Sequence, residues 1–162
     1  MMGISLKRFT LLAILACAVL GGPARAAAPL AYAEDLAALA QEARERRVPI
    51  LLAFMQETCP YCARARRHLE PLQASAEWGG NAVMREVDVD STVRMRDFEG
   101  QWTTPQEFAR RQGIRMVPTV IVFDDRGQPA AAPLVGIASD DFYSYYVAQA
   151  LEAGKSKVSA DG

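Results

Sequence analysis

A short apolar run leads directly into a pair of cysteines in the segment Ile50-Leu51-Leu52-Ala53-Phe54-Met55-Gln56-Glu57-Thr58-Cys59-Pro60-Tyr61-Cys62. The run at 50–55 carries no charge, which is typical of a strand that is buried on both faces of a sheet. A strand that enters a helix through Cys-x-x-Cys places its first sulfur at the helix N-terminus, where free N–H groups and the helix dipole favour negative charge. We therefore predict that Cys59 reacts as a thiolate and that Cys62, one helical turn further on and more shielded, acts second.

The spacing of the two cysteines supports thiol–disulfide exchange. In that reaction Cys59 attacks a partner's disulfide, a mixed disulfide forms, and Cys62 resolves it. The alternatives are a structural disulfide and a metal-binding pair. A metal site normally recruits third and fourth ligands, whereas the one histidine of the sequence, His68, lies among arginines and is interpreted as solvated. We therefore expect a catalytic dithiol and no metal.

The first residues have the pattern of an export signal. Two basic residues precede an apolar stretch at 9–20, and Ala24-Arg25-Ala26 ends in the small-x-small pattern that signal peptidase recognises. The stretch is shorter than the roughly 20 residues that a membrane-spanning helix needs, and an uncleaved anchor is the alternative. Lipidation at Cys17 is a minor alternative. We expect a cleaved signal peptide at 1–26 and a soluble protein in the periplasm.

The composition is that of one soluble domain. Of the 162 residues, 51% are apolar and 23% are charged, which is enough for a real core. Cleavage after Ala26 removes three basic residues and no acids, so the net charge changes from −1 to −4. A mildly acidic domain gives no support for nucleic-acid binding. Cys59 and Cys62 are then the only cysteines left, and in an oxidising compartment such a pair serves redox chemistry or metal binding.

Hydrophobic spacing and turn residues predict alternating helices and strands along the chain. The predicted helices lie at 33–46, from Cys59 to a kink or end at Pro71, from a cap at Thr104 to about 112, and from 139 onward. The predicted strands lie at 50–55, 82–90, 120–123 and 133–137. Residues 91–103 are interpreted as a largely exposed connection. The predicted organisation is a linker at 27–32, one domain at 33–153 and a flexible tail at 154–162.

The element order αβαβαββα, with Cys-x-x-Cys after the first strand and Val117-Pro118-Thr119 at the head of a later one, resembles the thioredoxin fold. Residues 113–123 look like the thioredoxin segment that carries the cis-proline, and residues 134–139 look like the loop that faces the active site. The resemblance covers essentially all of 48–153 and implies an α/β fold with a central mixed sheet flanked by helices. Cys-Pro-Tyr-Cys itself is the usual glutaredoxin motif. The residues inserted before Gly113, the leading helix and the export signal look like the periplasmic thioredoxins of the sulfur-oxidation (Sox-operon) type.

The resemblance also implies roles for residues around the dithiol. A cis bond before Pro118 would expose the backbone of Val117 beside Cys59, where an extended substrate segment could pair with it as an added strand. The alternative is an ordinary trans proline at the start of a strand. Gly136 would let a partner's backbone approach the sulfur. The expected catalytic residues are Cys59, Cys62 and Pro118, and the expected substrate-binding residues are Pro60, Tyr61, Val117 and Gly136.

Two positions depart from the thioredoxin pattern. Thr58 stands where thioredoxins usually have a tryptophan, and Ala53 stands where they bury an aspartate that accepts a proton beneath the dithiol. Cys62 must lose its proton while shielded from water, so another group has to take it. Glu86, on the neighbouring strand, is the candidate proton acceptor. The alternative is that Glu86 is solvated at the strand edge. Arg66, one of three arginines behind Cys62, is interpreted as part of a solvated helix face, with positive potential near the thiolate as the alternative.

The predicted function is that of an exported thiol–disulfide oxidoreductase, acting as a reductant on protein disulfides or persulfides. Its redox-active disulfide Cys59–Cys62 needs no further cofactor. The resemblance suggests a client in sulfur-compound oxidation and implies a membrane thiol–disulfide electron carrier as the electron source, and we expect a monomer. One alternative is an oxidant that inserts disulfides. Another is a metallochaperone that holds Cu(I) between the two thiolates near Met116, since soft sulfur ligands suit that ion.

Overall fold

The structure is a computed structural model that describes residues 27–160. The signal peptide predicted at 1–26 and the last two residues of the predicted tail lie outside the described residues. The helices are α1 (Leu36–Arg46), α2 (Pro60–Ala74), α3 (Pro105–Arg111) and α4 (Asp140–Ala160). The strands are β1 (Ile50–Met55), β2 (Val83–Asp88), β3 (Met95–Arg96), β4 (Trp102–Thr103), β5 (Thr119–Phe123) and β6 (Leu134–Val135).

Four of the strands form one mixed sheet in the order β2-β1-β5-β6. β1 runs parallel to β2 and antiparallel to β5, and β5 runs antiparallel to β6. β1 therefore lies inside the sheet, which explains why its sequence is apolar throughout and why all six of its residues are buried. The predicted α/β architecture, with a central mixed sheet flanked by helices, is confirmed.

The two faces of the sheet carry two separate apolar clusters. Successive side chains of a strand point to opposite faces, so Ala53 of β1 packs with α2 and α4 whereas Phe54 packs with α1 and α3. We call the first side, with Ala53, Cys62 and Tyr143, the α2–α4 face. The other side, with Phe54 and Phe108, is the α1–α3 face.

The predicted cap of α3 is confirmed, whereas the predicted effect of a proline in α2 is wrong in part. Thr104 caps α3 by accepting the N–H of Glu107 at 3.2 Å, and Pro105 occupies the first turn. Of the two effects predicted for Pro71, a kink or the end of α2, the end is wrong, because the helix continues to Ala74. Pro71 lies on the exposed side of the helix. The carbonyl that its missing N–H would have bound can therefore be hydrated there.

The inserted segment 91–103 is more ordered than the predicted exposed connection. β3 and β4 pair within it, and Met95 is buried in the cluster of the α1–α3 face. Phe98 packs on the ring of Phe123 at 5.1 Å between centroids. The tight turn at Gly127, whose φ is +76°, also lies against the Phe98 ring. The prediction of an exposed connection is therefore wrong for Met95 and Phe98, whereas Val93 and Trp102 are exposed as predicted.

The proposed linker and tail also make ordered contacts. In the linker, Ala31 accepts the N–H of Glu86 at 2.9 Å, and the N–H of Ala33, just after the linker, donates back to Glu86, so the segment lies along the edge of β2. The tail prediction is wrong for residues 154–160, which continue α4. Gly154 allows this close packing, because a Cβ there would lie 2.7 Å from Val122. Helix α4 is long, but no helix among residues 27–160 combines the length and apolar character needed to span a membrane.

Candidate active site

The first cysteine of the pair lies at the junction of β1 and α2. Cys59 is the N-cap residue of α2, with Pro60 in the first turn, and its Sγ accepts the N–H of Cys62 at 3.1 Å. Cys59 is half-buried, Cys62 is fully buried, and both are free thiols. The helix N-terminus thus presents a backbone donor to the more accessible sulfur, which favours negative charge on that atom.

The second cysteine is held as a neutral thiol. Burial raises the pKa of Cys62 to about 12, with a smaller contribution from its hydrogen bond to Cys59, and the backbone of Gln56 and the charge of Arg66 act in the opposite direction. A buried thiol of this kind is a poor nucleophile until its proton is removed. Cys59 is thus the accessible sulfur and Cys62 the shielded one, and the order in which Cys59 attacks first and Cys62 second stays a prediction.

The segment that contains Pro118 lies against Cys59. The Val117–Pro118 peptide bond is cis, the geometry that the resemblance implies. The carbonyl oxygen of Val117 is 4.0 Å from the Cys59 sulfur. Gly136 donates its N–H to the carbonyl of Pro118 at 2.7 Å and has a φ of +70°, a conformation that favours glycine. A Cβ on Gly136 would meet no atom within 4 Å, so the space beside this loop is open.

Exposed side chains surround the dithiol on the α2 and α4 side. Tyr61 is 56% exposed, and the guanidinium of Arg64 lies 5.3 Å from the centre of its ring. Arg64 also pairs with Asp140 of α4 at 2.6 Å. This hydrogen bond, together with a weaker one from His68, lowers the pKa of Asp140. The pair ties the active-site helix to the start of α4.

His68 is not the solvated residue that the sequence suggested. Its ring lies between α2 and α4, with one nitrogen 3.2 Å from the hydroxyl of Ser144 and the other 3.3 Å from Asp140. The ring also meets that of Tyr143 edge-on, with 5.5 Å between centroids. His68 therefore belongs to the packing between the two helices. Among the described residues, no group of three or more His, Cys, Asp or Glu side chains is placed to hold a metal.

Glu86 is buried rather than solvated. It pairs with Ala53 in the register of β1 and β2, and its side chain is 6% exposed. Both carboxylate oxygens accept hydrogen bonds from Arg66, at 2.9 and 2.6 Å. Arg66 is one helical turn after Cys62, so the ion pair lies on the same helix as the second cysteine. The hydrogen bonds to Glu86 raise the pKa of Arg66 and keep its charge fixed beside the dithiol.

The sequence identified only part of the role of two residues of this site. Positive potential from Arg66 near the thiolate was the alternative interpretation, and the charge of Arg66 does favour the charged form of Cys62. The interpretation of Arg66 as part of a solvated face is wrong, because its guanidinium is only partly exposed and is bound by Glu86. Tyr143 was predicted only as part of the buried stripe of α4, yet its hydroxyl lies in the interior with no hydrogen-bond partner. An arginine four residues after a buried cysteine and a tyrosine within an apolar stripe were the available signals. Neither signal names a partner without the tertiary structure.

The site and the fold were compared with known proteins. A family model described as a thioredoxin-like domain matches residues 36–151, which includes both cysteines and the Val117–Pro118 segment. The comparison with curated protein sequences gave no match.

Solved structures of similar fold include thioredoxins from distant organisms. Thioredoxin O2 of Arabidopsis thaliana, in its oxidized state, superposes with a TM-score of 0.53 at 16% identity, over 75% of this chain and 93% of that one. A mutant thioredoxin of Halobacterium salinarum gives 0.53 at 22% identity, over 80% and 96%. Trxlp of Edwardsiella tarda gives 0.51 at 20% identity, over 67% and 90%. At these identities the likeness establishes the thioredoxin fold.

Proposed function

The chain belongs to the thioredoxin-like domain family, and from that premise we propose that it is a thiol–disulfide oxidoreductase whose working groups are Cys59 and Cys62. The observation that carries the proposal is the half-buried sulfur of Cys59 at the start of α2, which accepts the N–H of Cys62 and lies beside the carbonyl of Val117. A client disulfide that reaches this sulfur meets a nucleophile whose charge the N–H of Cys62 can stabilise, and beside it the open space at Gly136. Those are the two requirements for exchange with an extended protein segment.

The first step is attack by Cys59 on a client disulfide. The thiolate of Cys59 forms a bond to one client sulfur, the client's own S–S bond breaks, and the second client sulfur leaves as a thiolate that takes a proton from solvent. The N–H of Cys62 and the α2 dipole stabilise the attacking charge. The client backbone lies along Val117 and across the open space at Gly136, with Pro60 and Tyr61 at the rim.

The second step is resolution by Cys62. Its thiol loses a proton, the resulting thiolate attacks the Cys59 sulfur, and the Cys59–Cys62 disulfide forms as the client is released with two electrons gained. Arg66 favours the charged form of Cys62. Glu86 is our candidate proton acceptor in place of the aspartate that Ala53 replaces. A carboxylate has about four lone-pair sites, so the two hydrogen bonds from Arg66 leave room for a proton.

The direction of electron flow and the partners are a further part of the proposal. The export signal predicted at 1–26 and the resemblance to sulfur-oxidation thioredoxins support a periplasmic reductant for protein disulfides or persulfides. Such a reductant needs a membrane thiol–disulfide electron carrier to return Cys59–Cys62 to the dithiol. We propose that it works as a monomer. An oxidant that inserts disulfides is the alternative within the same chemistry.

Two measurements test the reaction and its direction. Insulin disulfide reduction should be present in the purified protein, absent in Cys59→Ser, and stopped at a trapped mixed disulfide in Cys62→Ser. A reduction potential near −270 mV, about that of thioredoxin, would support the reductant, whereas a value near about −120 mV would identify an oxidant. Copper retained stoichiometrically through gel filtration, with no insulin turnover, would contradict both the reductant and the oxidant and favour the Cu(I)-binding alternative.

A further inference from the structure

The hydroxyl of Tyr143 is a buried polar group without a partner. Tyr143 is 4% exposed, and no described residue lies within hydrogen-bond distance of its oxygen. Burying an unpaired hydroxyl destabilises a fold, whereas phenylalanine would fill nearly the same space without that loss. A buried donor of this kind therefore calls for an explanation in terms of what it could bind.

The Tyr143 hydroxyl shares a buried cluster with the second cysteine. Tyr143 of α4 and Cys62 of α2 belong to the same buried cluster on the α2–α4 face. Burial raises the pKa of the Tyr143 hydroxyl to about 12, and negative charge on Cys62 adds to the effect. The phenol therefore keeps its proton near neutral pH. It can act as a hydrogen-bond donor but not as a base.

We propose that Tyr143 donates a hydrogen bond to the sulfur of Cys62 when that sulfur becomes charged during resolution of the mixed disulfide. This inference rests on the proposed function. The Cys62 proton goes to the acceptor discussed above, the Tyr143 proton stays on its oxygen, and the new bond forms between Cys62 and Cys59 as the client thiolate leaves. The hydroxyl has no partner while Cys62 is a neutral thiol, so the bond stabilises the reacting state and not the resting one.

In this proposal, groups from two helices act on the charged sulfur of Cys62. Its own helix supplies the charge of Arg66, which Glu86 of β2 holds in place. α4 supplies the hydroxyl of Tyr143. β1 supplies Ala53 to the same cluster, and the backbone of Gln56, just after β1, also favours the charged form of Cys62. His68 faces the ring of Tyr143, and Cys59 faces Cys62 directly. Among the described side chains, Cys59 and Arg66 act directly on the pKa of Cys62.

The test compares Tyr143→Phe with Tyr146→Phe in the full chain. Tyr146 lies on the same helix but is 47% exposed, so it controls for loss of a tyrosine hydroxyl. Each reduced protein is mixed with a disulfide-bonded peptide and quenched with acid at intervals between about pH 6 and 9, and the mixed disulfide is quantified over time. The pH dependence of mixed-disulfide decay is measured again for each protein with His68→Asn added, so that the imidazole of His68 cannot contribute to it.

For Tyr143→Phe we expect the mixed disulfide to form at the unchanged rate and to decay about tenfold more slowly, since a hydrogen bond to the charged sulfur is lost. The pH profile of the decay should move upward by about one unit. The melting temperature should stay equal or rise, because an unpaired hydroxyl is removed. Tyr146→Phe should match the wild type in every measurement.

Three outcomes would overturn the inference. Decay at the wild-type rate with an unchanged pH profile in Tyr143→Phe would show that the hydroxyl does not act on Cys62. A fall in both steps together with the melting temperature would assign Tyr143 to packing alone. If the wild-type protein itself formed no mixed disulfide with the peptide, the proposed function would fail first, and this result is distinguishable because it does not depend on the variant.

Discussion

The two faces of the sheet differ in what they bury. The α2–α4 face encloses chemistry: the buried thiol of Cys62, the carboxylate of Glu86 and the hydroxyl of Tyr143 all lie there or at its edge. The α1–α3 face is built around aromatic rings, with Phe54 stacked on Phe108 at 6.1 Å between centroids. The same strand, β1, supplies both faces. The difference teaches that a single apolar strand can separate a polar reaction site from the packing that stabilises it.

The largest effect is expected from removing an aromatic ring on the α1–α3 face. Phe54→Ala should lower the free energy of unfolding by about 3–5 kcal/mol, because it deletes a fully buried ring and leaves a cavity. The reduction potential of the folded protein should not change, since the ring lies across the sheet from Cys62. Denaturant titration and equilibration in thiol buffers measure the two quantities. Phe54→Leu, with a smaller volume change, should lose less stability and also keep the potential.

A shift in potential in the Phe54 variants would break the separation of the faces. It would mean that the packing behind β1 sets the position of the dithiol. Equal potentials in both variants would instead show that β1 insulates the site from the opposite cluster.

The next effect is expected at the ion pair on the α2–α4 face. Glu86→Gln should destabilise the protein by about 2 kcal/mol, because it leaves the partly buried charge of Arg66 without its counter-ion. It should also slow the decay of the mixed disulfide, in contrast to Phe54→Ala. The matched control is Glu42→Gln, which removes the acid of the exposed pair with Arg46 on α1. Exposed pairs contribute about 0–1 kcal/mol, so this control should be nearly silent.

A double replacement sharpens this second prediction. Arg66→Met combined with Glu86→Leu should recover most of the lost stability, since apolar residues often replace a buried ion pair without loss. Resolution of the mixed disulfide should remain slow, because both the charge and the proton acceptor are gone. Recovery of the rate together with stability would show that the pair acts only through packing.

The sequence predicted the central elements because their signals are local. The uncharged run at 50–55 identifies a strand that is buried on both faces, and Thr104 with Pro105 marks the start of α3. The Cys-x-x-Cys spacing locates the dithiol. That Val117, Pro118 and Gly136 lie near the dithiol was predicted from the resemblance to thioredoxins. The spacing of residues along the chain does not indicate which distant segments pair.

The remaining features depend on contacts that periodicity does not contain. The helical spacing of α4 puts Tyr143 on the buried side, but only the packing of α4 against α2 shows that its hydroxyl has no partner. Polar composition at 91–103 suggested exposure, whereas single apolar residues such as Met95 anchor the segment. The polar residues after 154 suggested a loose tail. Instead, α4 packs closely against Val122 at Gly154, a contact that requires the absence of a side chain there.

The smallest effect is expected at Asp124, at the end of β5 remote from Pro118. Burial opposes ionisation there, but backbone N–H groups of Gln128 and Arg126 and the ammonium of Lys157 outweigh it and lower the pKa of Asp124. A carboxyl with a lowered pKa stabilises the fold above its unfolded pKa of about 3.9, and that contribution is lost as the pH falls through the lower folded value. Asp124→Asn should therefore cost about 1 kcal/mol at pH 7 and progressively less below about pH 4.

Denaturant titrations of the wild type and Asp124→Asn from about pH 7 to 3 measure how their difference in stability shrinks. The control is Asp125→Asn in the same turn, which should change stability by less than about 0.5 kcal/mol. Asp124 and Glu86 are both buried acids with a helical cation as partner, so the two variants isolate position as the variable. Asp124→Asn should leave mixed-disulfide decay unchanged, whereas Glu86→Gln should slow it. If both variants slowed decay of the mixed disulfide equally, loss of any buried charge would be enough to slow it. The α2–α4 face would then have no specific role in that step. If only Glu86→Gln does so, proximity to Cys62 accounts for the effect.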